Sequence, residues 1–474
     1  MSFYSSCRAL PRRFRFILSS FLQQDGLAFA QVLPEETIEQ AFADADADFA
    51  QEEGDVYTPA LTLWAFLSQA LAKEHLRSCR EAVARVIVLL VSLGKTACSD
   101  NTGAYCRARA KVPTTVLRRL TTEVGDGCEQ RLPTPWLWKG RHVHLVDGST
   151  VSMTDTADNQ AAYPQCPAQK EGVGFPLARI VVLLSLATAM VKDMAMGPYA
   201  GKETGETALL RALLERLGQG DILLADRYYC SYFMIALLGE RGIDFVTRLH
   251  QRRDVDFRRG RRLGPGDHVV TWTKPVRPDW MDQASYERMP ASIQVREVEV
   301  QVQQPGFRTE SLVVVTTLTD AEQYSKEDVA ELYHQRWLVE LDLRAIKVTM
   351  GIDVLRCKSP EMVHREIWSC LLAYNLIRQS MLEAALPSDR SPRQLSFTAA
   401  LQKIMAAWAV TSVCDDILLA KLIETQLADM ACNRVGHRPN RVEPRAIKRR
   451  SKPHKLLNEP RADARAKLLS GVSA

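Results

Sequence analysis

The chain has 474 residues, 46% hydrophobic and 25% charged, with a net charge of +5. Such a length suits about two to four domains, and the composition is that of a soluble chain that buries a core. The longest apolar-rich runs, Val86–Leu93 and Ile180–Val191, fall short of the roughly 20 residues that a membrane-spanning helix needs.

Residues 1–55 begin basic, with Arg8, Arg12, Arg13 and Arg15, and end in an acidic linker from Asp44 to Asp55. Arginines interrupt the apolar segment at the N-terminus, and no small-residue cleavage site follows, so it reads as a helix of a cytoplasmic protein rather than a signal peptide. From Thr62 to about Leu132 the spacing is helical: TLWAFLSQAL, then CREAVARVIVLLVSL, then AYCRARAKV before Pro113. The cations Arg107, Arg109, Lys111, Arg118 and Arg119 along it suit a helical DNA-binding domain, and a helical scaffold fits nearly as well.

A different texture starts at His142. HVHLVDGST reads as a strand that turns at Gly148, and residues 178–191 form a near-continuous buried run consistent with strands. Residues 204–217 are helical, DILLADR (221–227) is a short buried strand, 231–241 are helical and IDFVTRL (243–249) is another strand. Strands alternating with helices predict a mixed α/β core. Residues 250–320 are basic and turn-rich at first, then strand-like, and read as a β-rich insertion. Helices are predicted over 361–385 and 395–431. The segment 434–455 holds nine Lys/Arg against the single acid Glu443, a tail suited to a phosphate backbone. The eleven cysteines show no C-x-x-C pair and no zinc-ligand spacing, which indicates reduced, structural thiols.

The stretch YHQRWLVELDLRAIK, 333–347, carries Tyr333, Arg336, Glu340 and Lys347. On an ideal helix these four share a stripe about 60° wide, with Arg344 close by. Beside the stripe runs an apolar ridge of Leu332, Val339, Leu343, Ile346 and Met350. A buried ridge would leave one carboxylate among several cations on the rim, an arrangement suited to a metal and a polyanion. Alone, it equally suits a surface helix laced with ion pairs. Two more acids change those odds. Asp147 in VDGS and Asp226 in LADRYY each read as ending a core strand, where side chains point into one crevice. Three converging carboxylates repel one another unless a cation neutralises them. Mg²⁺ held by carboxylates and substrate phosphate is the natural solution. Two such ions can drive an in-line displacement, with Lys347 and Arg336 clamping the phosphate.

With these motifs the chain resembles bacterial DDE transposases of insertion-sequence family four, the IS4 type. The stretch 333–347 matches their Y-x2-R-x3-E-x6-K signature at all four positions, and VDGST and LADRYY look like their first and second aspartate motifs. NQAAYPQ, GVGFPLAR and GKETGETALLRALL resemble the same core. The likeness runs from about Tyr57 to about Ala400.

It implies an RNase H-like mixed sheet core with a β-rich insertion, a helical N-terminal domain and a helical C-terminal region. The expected divisions are 1–140 helical and DNA-binding, 141–250 first part of the core, 251–320 insertion, 321–400 second part of the core, and 401–474 helical with the basic tail. Asp147, Asp226 and Glu340 are implied as the metal-binding catalytic triad, and Tyr333, Arg336, Lys347 and Arg344 as DNA-contacting. The implied activity is cut-and-paste transposition with Mg²⁺, two ions per site, for which Mn²⁺ substitutes. The implied partners are double-stranded DNA, as terminal inverted repeats and target, and a second copy in a homodimer; no membrane is involved. A tryptophan of the insertion, Trp272 or Trp280, is available to stack a flipped base. Two other readings stay open: a catalytically inactive DNA-binding remnant or repressor of the element, and a metal-dependent nuclease that cuts without rejoining.

Overall fold

The computed structural model describes residues 14–50, 52, 54–301, 311–388, 390–436 and 457–470. The first thirteen residues and most of the basic tail at 434–455 lie outside them. The chain packs into two compact units.

One unit comprises Met1–Gly140, Leu184–Asp193 and Glu340–Val435. Its centre is the helix Pro360–Ala385, buried on nearly every side from Glu366 onward. A helix buried all round lies in the middle of a bundle, and Pro59–Leu71, Thr114–Glu129, Phe397–Thr411 and Asp416–Cys432 pack against it. The stretch predicted as helical over 395–431 is thus two helices. Several polar groups inside pair with backbone. Asn375 accepts from the Val191 amide at 2.9 Å and donates to the carbonyls of Val191 and Thr121 at 2.8 and 2.9 Å. Arg77, 5% exposed, donates to the carbonyls of Met350 and Gly351, each at 2.8 Å. Several cations read as a DNA surface serve this packing. Arg109 donates to Gln69 Oε1 at 3.0 Å and lies over the Phe66 ring, and Arg118 clasps Asp193 with two bonds. Arg107 and Lys111 are exposed.

The other unit comprises Arg141–Leu183, Met194–Val339 and Gly436–Ala474. Its strands are β1 (Val143–Met153), β2 (Leu177–Ser185), β3 (Val191–Pro198), β4 (Ile222–Ala225), β5 (Asp244–Arg248), β6 (Arg261–Gly264), β7 (Asp267–Thr273), β8 (Ser292–Gln301) and β9 (Ser311–Thr316). The turn joining β2 to β3, with the strand ends Leu184–Ser185 and Val191–Asp193, counts with the first unit. Along the sheet the order is β3-β2-β1-β4-β5-β9-β8-β7-β6. β1, β4 and β5 are parallel, and β5 meets β9 antiparallel. The insertion is therefore continuous with the core sheet. Leu223, Phe245, Val295 and Val315 are fully buried with Tyr229 and Tyr232 in one apolar cluster. Within the insertion, Arg296 is completely buried and makes two bonds to Asp267, at 2.8 and 2.6 Å.

Ten cysteines among the described residues are free, and no helix there is long and apolar enough to cross a membrane.

Candidate active site

The site is built at the C-terminal end of β4. Four apolar, fully buried residues, Ile222–Ala225, make the strand, and the chain turns polar at Asp226. This carboxylate caps the short 3₁₀ turn Arg227–Tyr229, its Oδ1 accepting from the Arg227 amide at 2.6 Å. The Asp226 carbonyl accepts from the Thr247 hydroxyl at 2.9 Å. Asp226 thus ends its strand, as its sequence context predicts.

Asp147 does not. β1 runs on through Gly148 to Met153, so the expected turn at Gly148 is absent and the aspartate lies within the strand. The reason is non-local. Pairing with β4 stops at Leu145, while β2 on the other side of β1 supports the strand, and Ser149–Val151 suits an extended chain. Asp147 therefore stands beyond the last paired residue of β4. Its Oδ1 accepts from the Gly148 amide at 2.8 Å. Burial pushes the Asp147 carboxyl up to about 6; the Gly148 amide and Arg336 pull the other way, and Glu206 and Asp226 add to the rise.

Tyr333 is buried, and that burial raises its phenol far above the ordinary value; Arg336 opposes the shift and Asp226 adds to it. One electrostatic neighbourhood in this unit thus holds Asp147, Asp226, Arg336 and Tyr333. Glu340 opens the last chain segment of the other unit, Glu340–Val435, which also contains Arg344 and Lys347. Glu340 and Lys347 are half-buried there and Arg344 is exposed.

The predicted ridge is in place: Leu332, Val339, Leu343, Ile346 and Met350 are all buried. The unbroken helix is not. The α-helix Lys326–His334 gives way to a 3₁₀ turn, Gln335–Trp337, then to α-helix Leu338–Arg344 and a π-helical turn, Ala345–Thr349. The first turn overwinds the chain between Tyr333 and Glu340 and the second underwinds it between Glu340 and Lys347, so the uniform 100° step holds on neither side of Glu340. Single π turns recur at functional sites.

One acid at the site escaped the sequence reading. Glu206, in GKETGET, opens the helix Glu206–Arg211. Its Oε2 accepts from the Tyr229 hydroxyl at 3.3 Å, and its carboxylate occupies the space that a side chain at Gly148 would fill. The signal is the pair of acids in KETGET, a stretch that reads in sequence only as the start of a helix and as part of a family-like motif. In the insertion, Trp272 is buried, donates to Glu297 Oε1 at 3.2 Å and has Arg253 over its ring at 3.7 Å. Trp280 is half-buried beneath Arg211, 3.8 Å from its ring centroid.

Among the described residues, no three His, Cys, Asp or Glu side chains are grouped to hold a metal on their own. The donor set nonetheless fits a hard divalent cation, because such an ion is commonly held by one or two carboxylates plus substrate phosphate oxygens. Asp147 and Asp226 could supply those oxygens, and a cation beside them would favour the ionised form of Asp147 that burial and its anionic neighbours oppose.

This gives a stability prediction for the metal-free protein. Asp147's folded value lies above the ordinary 3.8, so the folded state is penalised when the carboxyl is ionised. That penalty is present above about pH 6 and disappears as pH falls through the window toward 4. Asp147→Asn should therefore stabilise the metal-free protein at pH 7–8 by on the order of 1–2 kcal/mol, discounted for partial exposure, and by nothing below pH 4. Urea unfolding at several pH values checks this; an equal effect at pH 4 and pH 8 would contradict it.

The family described as "Transposase DDE domain" matches residues 138–376, about half of the chain. The transposase InsG for insertion sequence element IS4, from Escherichia coli (strain K12), is 28% identical over 307 residues, 64% of this chain and 66% of that protein. The transposase for insertion sequence element IS421, from Escherichia coli, is 38% identical over 65 residues, 14% of this chain and 18% of that protein. The chain thus spans just under two thirds of the first relative and under a fifth of the second. A piggyBac transposase synaptic complex with hairpin DNA aligns at a TM-score of 0.42 and 9% identity, covering 89% of this chain and 86% of that one.

Proposed function

Because the chain belongs to the DDE-domain transposases, of the bacterial IS4 type, we propose that it excises an insertion sequence at its terminal inverted repeats and joins it to target DNA by cut-and-paste chemistry. The observation that supports this best is the gathering of Asp147 and Asp226, from two strands, beside Arg336 of the signature. Family membership carries a general dependence on a divalent metal, and Mg²⁺ is the proposed ion, with Asp147, Asp226 and Glu340 as its protein ligands.

When bound, the cation would help to activate the attacking oxygen and to neutralise the leaving one. The chain's own groups do the rest. Asp147 and Asp226 hold and orient the site, and the Thr247 hydroxyl fixes the backbone that presents Asp226. Arg336 supplies a fixed positive charge to the scissile phosphate. Water attacks phosphorus in line, the bond from phosphorus to the 3′ oxygen breaks, and the freed 3′ hydroxyl becomes the next nucleophile. In the proposed sequence that hydroxyl attacks the opposite strand to form a hairpin, which is reopened before transfer. Two copies acting as a homodimer would hold the two ends together.

Incubating the protein and Mg²⁺ with a fragment carrying one end tests the cleavage step. Nicks at the end of the inverted repeat support it, and binding without cleavage would point to a repressor or remnant instead.

Lys347 gives a graded test. It sits half-buried in the π-helical turn and is proposed to reach a DNA phosphate. Lys347→Ala should lower end affinity and single-turnover cleavage by about ten-fold, the size of one lost charge-assisted contact. Lys347→Arg should keep part of both, and Lys347→Glu should fall below Ala. Equal activity in all three variants would remove Lys347 from the DNA.

A further inference from the structure

Glu206 touches the neighbours of both aspartates. A Cβ built on Gly148, the residue after Asp147, would lie 2.2 Å from Glu206 Cδ and 2.5 Å from its Oε1. The glycine of VDGS is thus required by this approach, since β1 does not turn there. The other carboxylate oxygen accepts from the hydroxyl of Tyr229, three residues after Asp226 and fully buried. Burial, with Glu206, Asp147 and Asp226 adding to it, raises the phenol well above its ordinary value, so Tyr229 remains a donor at all working pH values.

We infer that Glu206 is a positioning residue: it locks the strand bearing Asp147 to the turn bearing Asp226 and so sets the spacing at which the two carboxylates receive a divalent cation. This rests on the reading of those aspartates as cation ligands. Groups that orient ligands of this kind typically change cation affinity by about 10–100-fold when removed. The hydrogen bond needs only an acceptor, so a glutamine can replace the glutamate.

The test is calorimetric titration of Mn²⁺ into the full-length, DNA-free protein. Glu206→Ala should weaken Mn²⁺ by about ten-fold or more, and Glu206→Gln should stay within about two-fold of the wild type. Gly148→Ala should match Glu206→Ala, because its new methyl group evicts the carboxylate. In the Glu206→Ala background, Gly148→Ala should add nothing, since both changes break one contact. Tyr229→Phe removes the donor alone and should reproduce the loss even if Glu206→Ala does not fold. Wild-type affinity in Glu206→Ala, equal losses in the Ala and Gln variants, or losses that multiply in the double variant would each overturn the inference. Unaltered Mn²⁺ affinity in Asp147→Asn would overturn it together with the metal site. Absence of end cleavage alongside the expected Mn²⁺ results would sink only the transposase reading.

Discussion

Asp147→Ala and Asp226→Ala should each reduce Mg²⁺-dependent end cleavage by at least about 10²-fold while leaving DNA affinity within about two-fold. The size follows from what the carboxylates are proposed to do. Removing a group that stabilises charge only in the transition state costs about 3–4 kcal/mol or more, and each 1.4 kcal/mol is a factor of ten. Affinity follows a different rule, because it comes mainly from cations on phosphates and release of counterions. The two aspartates start from different surroundings: Asp147 is pushed up by burial and by its anionic neighbours, whereas Asp226 caps a turn. Asp147→Asn should therefore be as inactive as the alanine variant and yet more stable at neutral pH. Glu340→Ala is proposed to share the cleavage defect. Single-turnover cleavage paired with gel-shift affinity measures both quantities, and a variant cutting at near wild-type rate would remove that residue from the site.

Asp342→Ala should cost about 3–5 kcal/mol of stability, the range for breaking a buried ion pair by deleting one partner. Asp342 is 2% exposed. Its Oδ1 accepts from Arg393 at 3.1 Å and Arg378 at 3.5 Å, and its Oδ2 from Arg393 at 2.9 Å. Arg393 also donates to the Ser185 carbonyl at 2.9 Å. One carboxylate therefore joins the helix carrying Glu340, the central helix and the turn between β2 and β3, all within one unit. Removing it leaves two arginines poorly solvated and unneutralised. Asp342→Asn keeps an acceptor but not the charge, and should fall between the wild type and Ala. Urea unfolding followed by circular dichroism reads the loss; a midpoint unchanged in the Ala variant would contradict the role of this triad.

What the sequence made legible was mostly local. The run ILLA followed by Asp226 announced a buried strand ending in an acid, and the ridge from Leu332 to Met350 announced a buried helix face; both are present. What it concealed depended on partners far along the chain. Asp-Gly at 147–148 carries a turn signal, yet β2 keeps the strand straight and Glu206 accounts for the glycine. Periodicity assumes one helical step throughout and cannot register the 3₁₀ and π turns either side of Glu340. Arg109 and Arg118 read as surface cations because nothing local reveals Gln69 or Asp193 as their partners.

The most direct measurement of the central claim is sequencing of the junctions formed when the protein, Mg²⁺, a DNA fragment carrying both flanked element ends and a target plasmid are incubated together. The account predicts 3′ ends freed at the outer boundary of each inverted repeat and joined to target DNA, with no junctions from the Asp226→Ala protein. Cutting without joining, or junctions that persist in Asp226→Ala, would contradict it.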